Sequence, residues 1–137
     1  MTQVARRHRG AVQTGQSGAA LVEFALAALL LVTLVMGIFE FGRAYNAWVV
    51  VTNGAREGAR YAAVGKSQAE VVQTVHDATS GLDDAKLSVT VTNAEGTRGD
   101  PVTVDVSYEV EIVVPLIGAF FPNNPFHLTS HSTMRLE

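Results

Sequence analysis

Apolar and polar positions change rhythm several times along the chain. Residues 19–39, AALVEFALAALLLVTLVMGIF, form an apolar run of 21 residues with one charge, Glu23. As a helix the run spans about 31 Å at 1.5 Å per residue, which matches a hydrocarbon core of roughly 30 Å. Its Ala, Leu and Met content favours helix and no Pro interrupts it. The run predicts a transmembrane helix. The helical pattern continues over residues 40–65, where Tyr45, Trp48, Val49 and Val51 give an aromatic belt and an apolar face near the outer interface. Gly65 is a suitable C-cap. A helix continuous over residues 19–64 is about 69 Å long, so only its first part fits in lipid and the rest needs a soluble head to pack on.

Residues 67–79 predict a second helix. Ser67 and Glu70 have capping-box spacing, Val71, Val72, Val75 and Ala78 make one apolar face, and Ser80-Gly81 stops it. The period then becomes two. Leu87, Val89 and Val91 alternate with Ser88, Thr90 and Thr92, and Val102, Val104, Val106, Tyr108, Val110 and Ile112 alternate with polar residues. This predicts a β-hairpin with one wet face. Residues 115–121 are apolar but too short to span a membrane; they fit a segment that dips into the interface or covers the core. A Pro-Asn-Asn-Pro turn follows, and residues 128–134 predict a last strand. The fold class is therefore α+β: a long N-terminal transmembrane helix that continues into a small head with a short helix and a three- to four-stranded antiparallel sheet. The expected division is a basic polar leader at 1–18, the span at 19–39, its extramembrane continuation at 40–65 and the head at 66–137.

At 137 residues the chain is one domain's worth, and its 47% apolar and 17% charged content argues against disorder. The absence of Cys excludes a disulfide scaffold, a thiolate metal site and a cysteine nucleophile. The net charge of -3 gives no compositional support for nucleic-acid binding. That charge is unevenly spread. Arg6, Arg7 and Arg9 precede the apolar run with no acid among them, while all 13 acidic residues follow residue 18. The positive-inside rule predicts a cytoplasmic N-terminus and a head across the membrane. An ordinary cleaved signal fits poorly, because the run exceeds an h-region of about 7–15 residues and Gly37-Ile38-Phe39-Glu40 is no A-x-A site.

Glu23 is the informative residue. A carboxylate near the centre of a membrane helix costs about 2.5–3.5 kcal/mol on insertion scales, less at four residues inside the run. Either it snorkels to the interface or it meets a cation. The nearest basic side chains in sequence are Arg9 and Arg43, too far for one helical turn. A cut after Gly18 would supply the cation: the amino group of Ala19, with a pKa of about 8, then stands at i to Glu23 at i+4. Their attraction strengthens as the dielectric constant falls. The pair forms within one chain or between staggered neighbours.

The stretch at 18–24, Gly-Ala-Ala-Leu-Val-Glu-Phe, resembles a type IV prepilin processing site, in which the peptidase cuts after Gly and leaves Glu at the fifth mature position. Taken with Arg-His-Arg-Gly at 7–10, GIFEFGR at 37–43, AREGARYA at 55–62 and TSHSTMRLE at 129–137, it resembles the TadE-like family, the pseudopilins or minor pilins of tight-adherence (Flp-type) pilus systems. The resemblance is strong over residues 15–65. It implies processing between Gly18 and Ala19, an assembly role for Glu23 and Phe24, and a signature helix face at Arg43, Arg56 and Arg60. Many members carry a Pro soon after the Glu-Phe pair; here Ala27-Ala28-Leu29 occupies that region. The implied partners are a prepilin peptidase, other pilin-like subunits met through the helix, inner-membrane assembly machinery and membrane lipid. The implied location is the inner membrane, with the head extracytoplasmic or carried into a surface pilus. An uncleaved single-pass accessory protein of a secretion or envelope complex is the alternative.

Beside the resemblance, the residues offer packing features and little chemistry. Gly54, Gly58 and Ala62, with the adjacent row Ala55, Ala59 and Ala63, allow close backbone approach; packing on the chain's own sheet is preferred to a subunit contact. Arg43 follows Glu40 at i+3, a surface pair of small value. Arg56 and Arg60 form a solvated or inter-subunit charge stripe. Asp105, Glu109 and Glu111 fall on the wet strand face. His127 and His131 share a strand face without clear carboxylate or thiolate company. There is no P-loop, H-E-x-x-H or G-x-S-x-G. No catalytic residue, metal site or cofactor is expected, and the chain is not expected to be an enzyme.

Overall fold

The structure, a computed structural model, describes residues 14–114, 118 and 125–137. The basic residues of the leader and most of the apolar segment at 115–121 lie outside the described residues. The chain divides into two compact units, Met1–Val35 and Met36–Glu137.

Helix α1 (Thr14–Ala63) is the first element. In the first unit its side chains from residue 17 onward are exposed or half-exposed, including Leu21, Phe24, Leu29 and Leu34. The helix is long and apolar enough to cross a membrane, and none of its most apolar window is buried. A core helix of a soluble protein would bury that window; this one leaves it exposed, which suggests a membrane anchor.

The second unit holds the rest of α1, then α2 (Gln68–Ala78), a single 3-10 turn (Asp84–Lys86) and strands β1 (Leu87–Thr92), β2 (Pro101–Val110) and β3 (Phe126–Arg135). The strands form one antiparallel sheet in the order β1-β2-β3. The α+β expectation therefore holds, with three strands among the described residues. Gly65 ends α1 with φ of 77°; its N–H donates to Ala62 C=O at 3.0 Å and the Lys66 N–H to Tyr61 C=O at 3.4 Å, the two bonds of a Schellman cap. The Ser67–Glu70 capping box is present. Hydrogen bonds from the Ser67 hydroxyl and backbone N–H hold the Glu70 carboxyl below its usual pKa.

Small residues on α1 face branched residues on the head. Val51, Ala55, Ala59 and Ala62 form one core with Val71, Val75, Val102, Val104, Val106 and Leu136. Each fully buried Val contributes about 1.5–3 kcal/mol of apolar transfer. The small row thus packs on its own head, against α2 and β2. Val51 also belongs here: it is fully buried rather than part of an interfacial face, because it lies on the Ala55–Ala62 side of the helix. Tyr45, Trp48 and Val49 remain exposed. The C-terminus closes over the same helix, Glu137 N–H donating to Ala63 C=O at 2.9 Å.

The two inward glycines set the spacing. A Cβ built on Gly54 would stand 2.7 Å from Thr79 Cγ2, and one on Gly58 would stand 2.6 Å from Val75 Cγ2 and 3.2 Å from Val104 Cγ1. Gly58→Ala gains about 1 kcal/mol of helix propensity but overpacks two stiff branched side chains, which costs about 1–3 kcal/mol. The expected net effect is a loss of about 1 kcal/mol, read as a lower melting temperature by near-ultraviolet circular dichroism in detergent. Gly42→Ala, whose Cβ meets nothing within 4 Å, is the control and should not lower it. A Gly58→Ala protein as stable as the parent would refute the contact.

Candidate assembly interface

The residues singled out from sequence fall into separate places. Gly18, Ala19, Glu23 and Phe24 lie in the first unit on one exposed stretch of α1. A Cβ on Gly18 would meet nothing within 4 Å. Phe24 is 72% exposed. Among the described residues no ion pair includes Glu23. Thr33 is the span's other polar side chain; its hydroxyl donates to Leu29 C=O at 2.8 Å, so it is satisfied within its own helix as lipid requires.

Arg43 and Glu40 form more than the weak surface pair expected. Arg43 Nη2 donates both to Glu40 Oε1 and to the backbone oxygen of Glu111. Glu40 Oε1 also accepts from Val113 N–H at 3.3 Å. The Glu40 side chain is only 12% exposed. The pair therefore ties α1, just beyond the apolar run, to the chain leaving β2. Sequence spacing shows the i+3 contact but not backbone partners about seventy residues away.

Beside this tie lies an apolar groove of roughly 430 Å³. Gly37, Glu40, Phe41, Ala44, Tyr45 and Trp48 line it from the helix, with Ile112, Phe126 and Leu128 opposite. Phe41 stacks on Tyr45 and Tyr45 tilts against Trp48, with ring centroids 6.3 and 5.8 Å apart.

Farther along α1, Arg56 and Arg60 are exposed. Arg60 is bonded to Glu57 at 2.6 Å, which holds its guanidinium above the usual pKa, and its cation lies 5.8 Å from the Tyr61 ring centre. The two arginines do not converge with Arg43, which bonds β2's exit instead.

The outward sheet face carries a pairing that spacing alone concealed. In the β2–β3 register Asp105 stands opposite His131 and Glu109 opposite His127, so each histidine has a carboxylate neighbour across the strand. The expectation that they lack carboxylate company is corrected: only the β2–β3 register brings these residues opposite one another. Among the described residues no group of three or more His, Asp or Glu is placed to hold a metal. Glu111 leaves this face to pair with Lys86 at 3.0 Å, and its carboxylate raises the Lys86 pKa.

Residues 18–60 match the family model described as TadE-like protein. The matched segment begins at Gly18 and ends at Arg60, and so also contains Ala19, Glu23, Phe24, Arg43 and Arg56. No curated protein and no solved structure matches the chain significantly.

The tie at Arg43 has a direct test. Arg43→Met keeps the apolar stem but removes the donor shared by Glu40 and Glu111. The expected cost is about 1 kcal/mol, the value of a half-exposed charge-assisted bond. Amide exchange at Val113 should accelerate several-fold, because its acceptor loses its fixed position. Unchanged exchange there would show that the tie does not hold β2's exit.

Proposed function

With residues 18–60 TadE-like, we propose that the chain is a pseudopilin or minor pilin of a tight-adherence (Flp-type) pilus or secretion system. In this reading a prepilin peptidase cuts between Gly18 and Ala19. The helix holds the protein in the inner membrane, with the N-terminus cytoplasmic and the head outside, until the assembly machinery extracts it. Helices of pilin-like subunits then pack laterally and bury against one another the side chains that lipid covered before. Glu23 offsets the Ala19 ammonium of its own chain or of a neighbour, with Phe24 beside it in the helix–helix contact. The carrying observation is the coincidence of a family match that starts at Gly18 with a carboxylate at the fifth position beyond the cut, exposed in an otherwise apolar helix.

One observation favours a second reading. Helix α1 begins at Thr14 and is unbroken through the Gly18–Ala19 bond, which keeps that backbone in the helical ladder rather than extended for a protease. An uncleaved single-pass accessory of a secretion or envelope complex fits that state.

Intact mass of the protein from native membranes separates the two. A chain starting at Ala19 is the expected result, and a full-length chain is the result for the accessory. Gly18→Phe should block the cut. Because a Cβ at position 18 meets nothing within 4 Å among the described residues, a block would reflect the cut site rather than misfolding, and normal processing of this variant would exclude the bond. Glu23→Gln should insert into membranes normally but lose incorporation into pili. Undiminished incorporation would remove the carboxylate's pairing role.

A further inference from the structure

The apolar groove on the second unit belongs neither to the processing bond nor to the arginine stripe. Its helical wall starts at Gly37, two residues before the apolar run ends at Phe39, and continues through Trp48. The groove's wall therefore begins within the last residues of the apolar run. At 1.5 Å per residue its wall leaves the hydrocarbon and crosses the headgroup layer, which is roughly 5–8 Å thick on each side. Tyr45 and Trp48 are of the aromatic types enriched at membrane–water interfaces. The volume of roughly 430 Å³ lies in the range of small-molecule sites, about 300–1,000 Å³.

Charge also discriminates between occupants. Among the described residues Glu40 is the only charged side chain lining the groove; Arg43 offsets its charge and the Val113 N–H hydrogen-bonds it. Arg43 does not itself line the groove, but its guanidinium is bonded to Glu40, which does, and its side chain is 52% exposed; both of its bonds leave from Nη2. The guanidinium has five N–H donors in all, so Nε and Nη1 remain for a phosphate. An apolar slot with an exposed guanidinium at its edge complements a phospholipid: acyl chain inside, phosphate at the rim.

We propose that this groove takes an acyl chain of a membrane phospholipid, with its phosphate on Arg43, and so seats this end of the head in the membrane–water interface. The inference rests on the membrane-anchor reading of the apolar helix. It adds a lipid site on the head, separate from the span.

Trp48 lines the groove and is the single tryptophan of the chain, so its fluorescence reports the occupant. The full chain is reconstituted in phosphatidylcholine–phosphatidylglycerol vesicles containing phosphatidylcholine brominated near the carbonyl end of its acyl chains. Trp48 emission should fall clearly below its value in vesicles without brominated lipid. Leu128→Lys puts a charge into the groove from β3, outside the span, and should abolish the quenching while the protein still floats with the vesicles. Leu128→Met should preserve it. Ala44→Phe fills the groove without a charge, should also reduce quenching, and covers the case in which Leu128→Lys does not fold. Equal quenching in the parent and in the folded groove variants would overturn the proposal, leaving Trp48 as a residue that merely touches lipid. Normal flotation without quenching in the parent would also overturn it and give the groove to protein, either residues 115–124 of the same chain or a second copy. Failure to float would overturn the anchor reading, and the lipid site with it.

Discussion

The structure depends on how closely helix α1 can approach the sheet. From Val51 to Ala62 its inward face is made almost wholly of Gly and Ala, so the volume between the layers is filled from the other side by Val71, Val75, Val102, Val104 and Val106. Ala and Gly supply little apolar area themselves. What they supply is proximity, which lets each valine reach the helix backbone and lose its contact with water. Valine is stiff about χ1, so the fit does not adapt to a larger helix face. The same helix, over residues 19–39, carries large apolar side chains all round. One element thus meets two solvents by changing side-chain size along its length rather than by changing backbone.

Most elements were legible because each is specified locally. Ser67 and Glu70 fix the start of α2 through bonds within one turn, Gly65 ends α1 through its own φ, and strict alternation from Leu87 and from Val102 sets which face of each strand is wet. The small-residue rows showed that something must come close, and the alternating valines made the chain's own sheet the better candidate, which is where they pack. Val51 was assigned to the interface because its aromatic neighbours in sequence lie there. Helical geometry turns it about 100° per residue away from them, onto the Ala55 face.

What stayed hidden depends on pairing between distant segments. The carboxylate–histidine neighbours Asp105–His131 and Glu109–His127 follow from β2–β3 register, and no period within either strand encodes it. Arg43 and Glu40 looked like an ordinary surface pair because sequence shows only their i+3 spacing. Their added partners are backbone groups of Glu111 and Val113, which any residue types would provide. A backbone acceptor leaves no signature in composition, so such ties appear only when the fold has brought the chain back.

Two carboxylates on α1 therefore stand in opposite situations. Glu40 is nearly covered and has its charge met by Arg43 and a backbone N–H inside the head. Glu23 is exposed in the apolar run, and the described residues hold no ion-pair partner for it. A charge satisfied within the chain stabilises that chain; a charge in apolar surroundings without an internal partner favours whatever outside group brings the missing cation. The family match ends at Arg60, after most of the helix's small-residue face and before any valine of the head beyond Val51. The matched segment thus contains one half of a packing surface together with the unsatisfied carboxylate. The helix sets the distance at which the head meets it, and the head presents branched side chains at that distance.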